Sequence, residues 1–324
     1  VTNTLTFDEH ASLLEQSSQR YPFSVTVSGP GPGEMALRNL PTQLPLALML
    51  SLLMGYIVWL ATARRISFTW EINMGIAARE FELFCQPLMN ARTRECVGVE
   101  ILLRWNNPRQ GWISPDVFIP LAEEHNLIVP LTRYVISETV RQIGYFPASR
   151  DFHIGINVAA SHFRRAALIR DLNRIWFNAN PVQRLIVELT ERDALLDVDY
   201  RIVRELHRKG VKLAIDDFGT GNSSLSWLEK LRPDVLKIDK SFTTAIGTDA
   251  VNSTVTDIII ALGQRLNIEL VAEGVETEEQ SRYLRRHSVH ILQGFLYARP
   301  MPLREFPTWL AESASPPARH NGHI

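Results

Sequence analysis

From about residue 81 to residue 306 the chain repeats one hydropathy rhythm: a short apolar, β-branched run, a polar residue, then a stretch with helical spacing. The short runs predict strands at 82–87, 97–104, 153–157, 185–189, 212–217, 235–239, 269–273 and 291–296. Periodic segments predict helices at 130–142, 198–209, 250–266 and 277–287. Strand–helix alternation implies a parallel sheet, and eight strands in about 225 residues suit a TIM-like (β/α)8 barrel in number and size. The α/β competitor is an open doubly wound sheet. It usually carries a Gly-rich dinucleotide turn after its first strand, and no G-x-G-x-x-G occurs here.

Upstream the pattern changes. Residues 44–63, LPLALMLSLLMGYIVWLATA, contain no charge over twenty positions. A helix of that length spans about 30 Å, the hydrocarbon thickness of a bilayer. Pro45 falls in its first turn, and Tyr56 and Trp59 lie where amphipathic rings suit an interface. The run predicts a transmembrane helix. It is too long, and begins too late in the chain, for a cleaved signal peptide. Arg38 is the one basic residue in 24–43, whereas 64–83 hold Arg64, Arg65 and Arg79. The positive-inside rule therefore places everything after Arg65 in the cytoplasm. Residues 1–43 are expected to be the external remnant of a sensor segment, 64–80 a juxtamembrane linker helix, and 307–324 a polar tail without assigned function.

Composition narrows the classes. Lys+Arg 34 against Asp+Glu 35 leaves a net charge of −1, which disfavours binding to nucleic-acid polymers. A hydrophobic share of 45% supports a packed core and excludes wholesale disorder. Two cysteines, Cys85 and Cys96, cannot build a disulfide framework, and no Cys/His cluster has zinc-ligand spacing.

The candidate chemistry sits where the strands end: Gln86, Glu100, Asn157, Glu188, Asp216 with Asp217, Lys237 with Asp239, Glu273, and Gln293. In a barrel such ends converge on one face. One of them alone would be explained as a salt-bridge partner or helix-cap neighbour; all eight strands ending this way point to a site. Glu100, Glu188, Asp216, Asp217 and Glu273 are five carboxylates, with Lys237 as internal cation. Like charges 4 Å apart repel by about 4 kcal/mol at an effective dielectric near 20, so the cluster must bind protons or cations. Oxygen-only donors select Mg²⁺ or Mn²⁺ over Zn²⁺. The adjacent Asp216 and Asp217 suggest two ions sharing a ligand, the arrangement that clamps attacking and leaving oxygens in phosphate displacement.

These residues resemble the EAL-domain cyclic di-GMP phosphodiesterases. The matching pieces are Gln86-Pro87, Glu100-Ile101-Leu102-Leu103-Arg104, SPDVFIPLAE at 114–123, Asn157 in INVAA, Glu188-Leu189-Thr190-Glu191, DDFGTGNSS at 216–224, Lys237-Ile238-Asp239, VAEGVE at 271–276 and Gln293-Gly294. They span 81–306 in the family's order. The signature reads Glu-Ile-Leu rather than Glu-Ala-Leu, which keeps the acidic residue, and Asn222 stands where the family often has an aromatic residue.

The resemblance implies an EAL-fold domain that hydrolyses cyclic di-GMP to linear pGpG with two Mg²⁺ or Mn²⁺ ions. By position, Glu100, Asn157, Glu188 and Asp216 would hold one ion, and Asp216, Asp217 and Glu273 the other. Gln86, Leu102, Arg104, Asp239 and Gln293 would contact substrate; Glu191 and Glu276 would support the 216–224 loop and couple it to a homodimer surface. Lys237 and Glu273 would be catalytic, with the general-base and orienting roles open between them. A single span before such a domain resembles inner-membrane phosphodiesterases of bacteria with a periplasmic CSS-motif sensor; no Cys-Ser-Ser motif occurs here. The alternative is a catalytically silent cyclic di-GMP receptor. Asp217-Phe218-Gly219 alone does not make a kinase, since no His-Arg-Asp loop accompanies it.

Overall fold

A computed structural model describes residues 11–17, 24–30, 32–221, 225–248 and 251–313. The chain divides into two units, Val1–Phe68 and Thr69–Ile324. In the first, Ala11–Ser17 and Ser24–Pro30 pair as an antiparallel hairpin. The helix Pro32–Ala77 begins there and ends in the second unit. Expected span and linker are thus parts of one helix. Over 44–59 its apolar side chains, among them Leu44, Leu52 and Trp59, are exposed, whereas Ile72 near its end is buried. Among the described residues no helix is long and apolar enough to cross a membrane, so the span expected over 44–63 is not found among them. The side chains of 60–67, like Asn222 and the tail 314–324, lie outside the described residues.

The second unit is a closed barrel of eight strands: β1 Phe81–Asn90, β2 Cys96–Asn107, β3 His153–Asn157, β4 Arg184–Thr190, β5 Lys212–Phe218, β6 Val235–Ile238, β7 Glu269–Ala272 and β8 Ile291–Leu292. From β2 to β8 the strands pair in parallel and in chain order. β1 is the exception. It runs antiparallel to both β2 and β8, which corrects the expectation of a wholly parallel sheet. The cause is the connection. Residues 91–95 form a turn, in which Asn90 Oδ1 accepts from the Arg92 and Thr93 N–H groups and Arg94 takes a left-handed φ of 61°. A parallel crossover needs about a dozen residues or more. β1 and β2 also continue past the rim of the barrel, where Gly111–Ile113 adds a short antiparallel strand to β2.

The parallel strands are buried on both faces. Ile154, Ile156, Leu213, Ile215, Leu236 and Ile238 belong to the large core shared with the helices, while Leu88, Ile186, Ala214, Val235, Val271 and Ile291 fill the lower barrel interior. Local chemistry sets the helix starts. Thr277 and Gln280 form a reciprocal capping box before Glu278–Arg286, and the Asp199 carboxylate caps Tyr200–Arg208. The last helix, Phe306–Ser313, extends beyond the expected domain boundary because buried Phe306 packs on Phe146 and Phe152, with ring centroids 5.5 and 6.0 Å away.

Candidate active site

Lys237 is the centre of the upper barrel interior. Its ammonium donates to Glu188 Oε2 at 2.8 Å and Glu100 Oε2 at 3.2 Å, and pairs with Glu273 Oε1 at 2.7 Å and Asp216 Oδ1 at 3.2 Å. The side chain is 2% exposed. Amides complete the ring. Asn157 Nδ2 donates to Glu100 Oε1 at 2.8 Å; Gln293 Nε2 donates to Glu100 Oε2 at 2.8 Å and to Gln86 Oε1 at 3.1 Å. The buried Gln293 Oε1 has no hydrogen-bond partner among the described residues, which leaves an acceptor for a ligand or water.

Two backbone features make this convergence possible. Neighbouring side chains on a regular strand point to opposite faces, so Asp216 and Asp217 should not share a site. The β5–β6 register shifts between Ile215 and Phe218, Asp217 takes a φ of 52°, and its N–H donates to Asp216 Oδ1 at 3.0 Å. This bulge turns both carboxylates to one side. The second feature is Gly155 on β3. A Cβ there would lie 2.0 Å from Glu188 Oε1, so the glycine makes room for that carboxylate. Nothing in the sequence pattern singled Gly155 out, although a glycine inside a strand can mark such a close approach.

The electrostatics remain unbalanced: five carboxylates face one ammonium. Burial raises the Glu188 carboxyl to about 8 despite Lys237, with Glu100 and Asp216 adding repulsion. Burial, then Asp216 and Asp239, raise Asp217 to about 6. Burial also raises Asp216 and holds Glu273 well above the usual carboxylate range. For Glu100, burial is outweighed by Lys237 and the donated hydrogen bonds, and its carboxyl is lowered. Burial works against the Lys237 charge, but its four carboxylate neighbours keep it firmly protonated.

The carboxylates form two triads that share Asp216. Oxygen atoms of Glu100, Glu188 and Asp216 lie within 4.8 Å of one another, and so do those of Asp216, Asp217 and Glu273. Hard oxygen donors with excess negative charge fit two divalent cations of the Mg²⁺ or Mn²⁺ class.

The remaining predicted residues lie around this centre. Leu102 and Arg104 line an apolar pocket of about 250 Å³ that reaches Asn157 and Glu188. Gln86, Gln293 and Glu276 line a second pocket of about 290 Å³, with Glu100, Asp216, Glu273, Lys240 and Phe295. Glu191 is buried, and its Oε2 accepts from the Gly219 and Gly221 N–H groups at 2.9 and 3.0 Å, which ties it to the 216–221 part of the loop. Glu276 is placed differently: its carboxylate is on the exposed rim and its backbone N–H donates to Gln280. Asp239 accepts from the Ser241 N–H at 3.0 Å and caps Lys240–Thr244.

A family profile described as the EAL domain matches residues 70–300. This chain belongs to the EAL domain family. The probable cyclic di-GMP phosphodiesterase PdeD of Escherichia coli (strain K12) is 77% identical over 324 residues, covering 100% of this chain and 61% of that protein. The probable cyclic di-GMP phosphodiesterase PdeN of the same organism is 38% identical over 253 residues, covering 76% of this chain and 48% of that protein. The chain therefore spans about half to three-fifths of these relatives. A solved structure of the PaMucR phosphodiesterase as a c-di-GMP complex superposes with a TM-score of 0.68 at 37% identity, over 74% of this chain and 99% of that one. The closed eight-strand barrel is the EAL fold, and Glu100-Ile101-Leu102 occupies the signature position on β2.

Proposed function

We propose that this chain carries a metal-dependent phosphodiesterase that hydrolyses cyclic di-GMP to linear 5′-pGpG. Water adds across one P–O bond, so a single ester opens and the second remains. The observation that carries this reading is the pair of carboxylate triads meeting at Asp216 around Lys237. Glu100, Asn157, Glu188 and Asp216 would hold one Mg²⁺ or Mn²⁺, and Asp216, Asp217 and Glu273 the other. Such ions supply neutralising charge for the phosphate oxygens and acidify water.

The chain's own groups divide the remaining work. Lys237, kept protonated by its carboxylate neighbours, orients the attacking water and offsets charge developing on the phosphate. Glu273 takes the proton. Burial raises the affinity of its carboxylate for a proton. Gln86, Gln293, Leu102, Arg104 and Asp239 hold the substrate, Gln293 through its free acceptor. Glu191 fixes the 216–221 backbone through two N–H groups. Glu276, exposed on the rim, would act at a homodimer surface.

The proposed setting is the bacterial inner membrane, with the barrel in the cytoplasm. The uncharged run 44–63, the arginines after it and the exposed apolar side chains of the helix support this. Residues 1–43 would then be periplasmic. The test is incubation of the chain with cyclic di-GMP and Mg²⁺ or Mn²⁺, with chromatographic resolution of products. Linear dinucleotide is expected. Tight binding without product would make the chain a receptor and overturn the phosphodiesterase reading; absence of both binding and product would overturn it as well. Reporter fusions on either side of 44–63 test the topology.

A further inference from the structure

The arm formed by β1 and β2 beyond the barrel rim presents one continuous face. Gln86 lies opposite Glu100, Phe84 opposite Leu102 and Glu82 opposite Arg104, and residues two apart on a strand share a face. Climbing from the carboxylates, this face passes Gln86 and Glu100, then Phe84 and Leu102, then Arg104. The Arg104 guanidinium carbon lies 5.6 Å from the centroid of the Phe84 ring. Trp112, on the short strand Gly111–Ile113, makes a T-shaped contact with the same ring, centroids 5.9 Å apart at an interplanar angle of 82°. Trp112 is 57% exposed.

Arg104 needs such a support. Burial weakens its charge, while Glu100 and Asp116 draw on it. Glu100 belongs to the acidic cluster, so the simplest resting place for a guanidinium here is an ion pair with those carboxylates. Among the described residues Arg104 makes no such pair. Its Nη1 donates to the Leu103 carbonyl at 2.9 Å, and the aromatic face carries the rest of the group. A guanidinium held on a ring keeps its in-plane donors for a planar or anionic partner.

We infer that Phe84 is a positioning residue, braced by Trp112, that holds Arg104 out of the acidic cluster and ready for a guanine edge or phosphate of the substrate. This rests on the phosphodiesterase reading above. It assigns Phe84 and Trp112 a role in substrate affinity rather than in the chemical step.

The test is steady-state kinetics on the full chain with cyclic di-GMP and Mg²⁺. Phe84→Leu is expected to raise KM by roughly three- to tenfold with kcat little changed. Phe84→Tyr, which keeps the ring, should restore KM. Trp112→Ala, at an exposed position, should raise KM by about twofold. Adding Phe84→Leu to Arg104→Ala should cost nothing further, because the supported group is gone. An unchanged KM in both Phe84→Leu and Trp112→Ala, or fully additive losses in the double variant, would overturn the inference while leaving the phosphodiesterase reading intact. If the unaltered chain binds cyclic di-GMP without cleaving it, that reading fails, and the same variants are compared by calorimetric Kd. If it does neither, both fall together.

Discussion

Along β4, Ile186 and Glu188 point to the same side, two residues apart. Along β5 the pair is Ala214 and Asp216, along β6 Val235 and Lys237, and past the end of β8 Ile291 is followed by Gln293. On reversed β1 the order inverts: Leu88 is the lower residue and Gln86 the upper. Each of these strands thus contributes an apolar side chain to the lower barrel interior and a polar one to the upper. The lower layer gains from removing apolar surface from water, at about 25 cal/mol per Å². The upper layer buries carboxylates that have one ammonium among them, at a cost that the surrounding core must offset. One strand geometry serves stability below and chemistry above, so substitutions two residues apart should have opposite signatures.

The largest effect is expected at the point common to both carboxylate triads. Asp216→Asn should reduce turnover to background and abolish Mg²⁺ or Mn²⁺ uptake in calorimetry, with the protein still folded. Retained uptake at normal stoichiometry would break the two-triad scheme. Next, Glu273→Gln should lower kcat by about 10²–10⁴ while substrate binding persists. Full cleavage by this variant would remove Glu273 from its role.

In the lower layer, Ile186→Ala should lose about 2–5 kcal/mol of stability in denaturant unfolding. Activity at a permissive temperature should be nearly intact. A catalytic defect as large as that of Glu273→Gln would show that the two layers are not separable.

The last comparison concerns pH. Glu188 has a folded value of about 8 against 4.5 when unperturbed, so the folded state holds a proton that the unfolded state releases. Without divalent metal, stability should therefore fall as pH rises from about 4.5 towards 8. Glu188→Gln should reduce that slope, leaving the part due to Asp216, Asp217 and Glu273, and a slope unchanged by the substitution would assign it wholly to those groups.

Much of this was legible in the sequence, for physical reasons. The β-branched runs gave β3 to its residue limits and most others within one or two, because strands buried on both faces carry a strong apolar signal. The acidic strand ends were legible because carboxylates are rare beside such runs. Direction was not: hydropathy is the same for a parallel and an antiparallel strand, and the decisive clue was the five-residue spacing between Asn90 and Cys96. Simple alternation would also have sent Asp216 and Asp217 to opposite faces, because a bulge leaves no mark in hydropathy. Gly155 was missed because its importance lies in an absent side chain.

The reversal of β1 has one more outcome. In a barrel whose first strand is parallel to the rest, the polypeptide enters at the floor and upstream regions reach the opening only by a detour. Here residues 69–80 lead into Phe81 on the working side, where Glu80 accepts from the Trp105 indole at 2.9 Å and Glu71 from the Asn107 amide at 3.2 Å. The incoming segment is therefore hydrogen-bonded directly to the strand bearing Glu100 and Arg104, on the side away from the apolar floor.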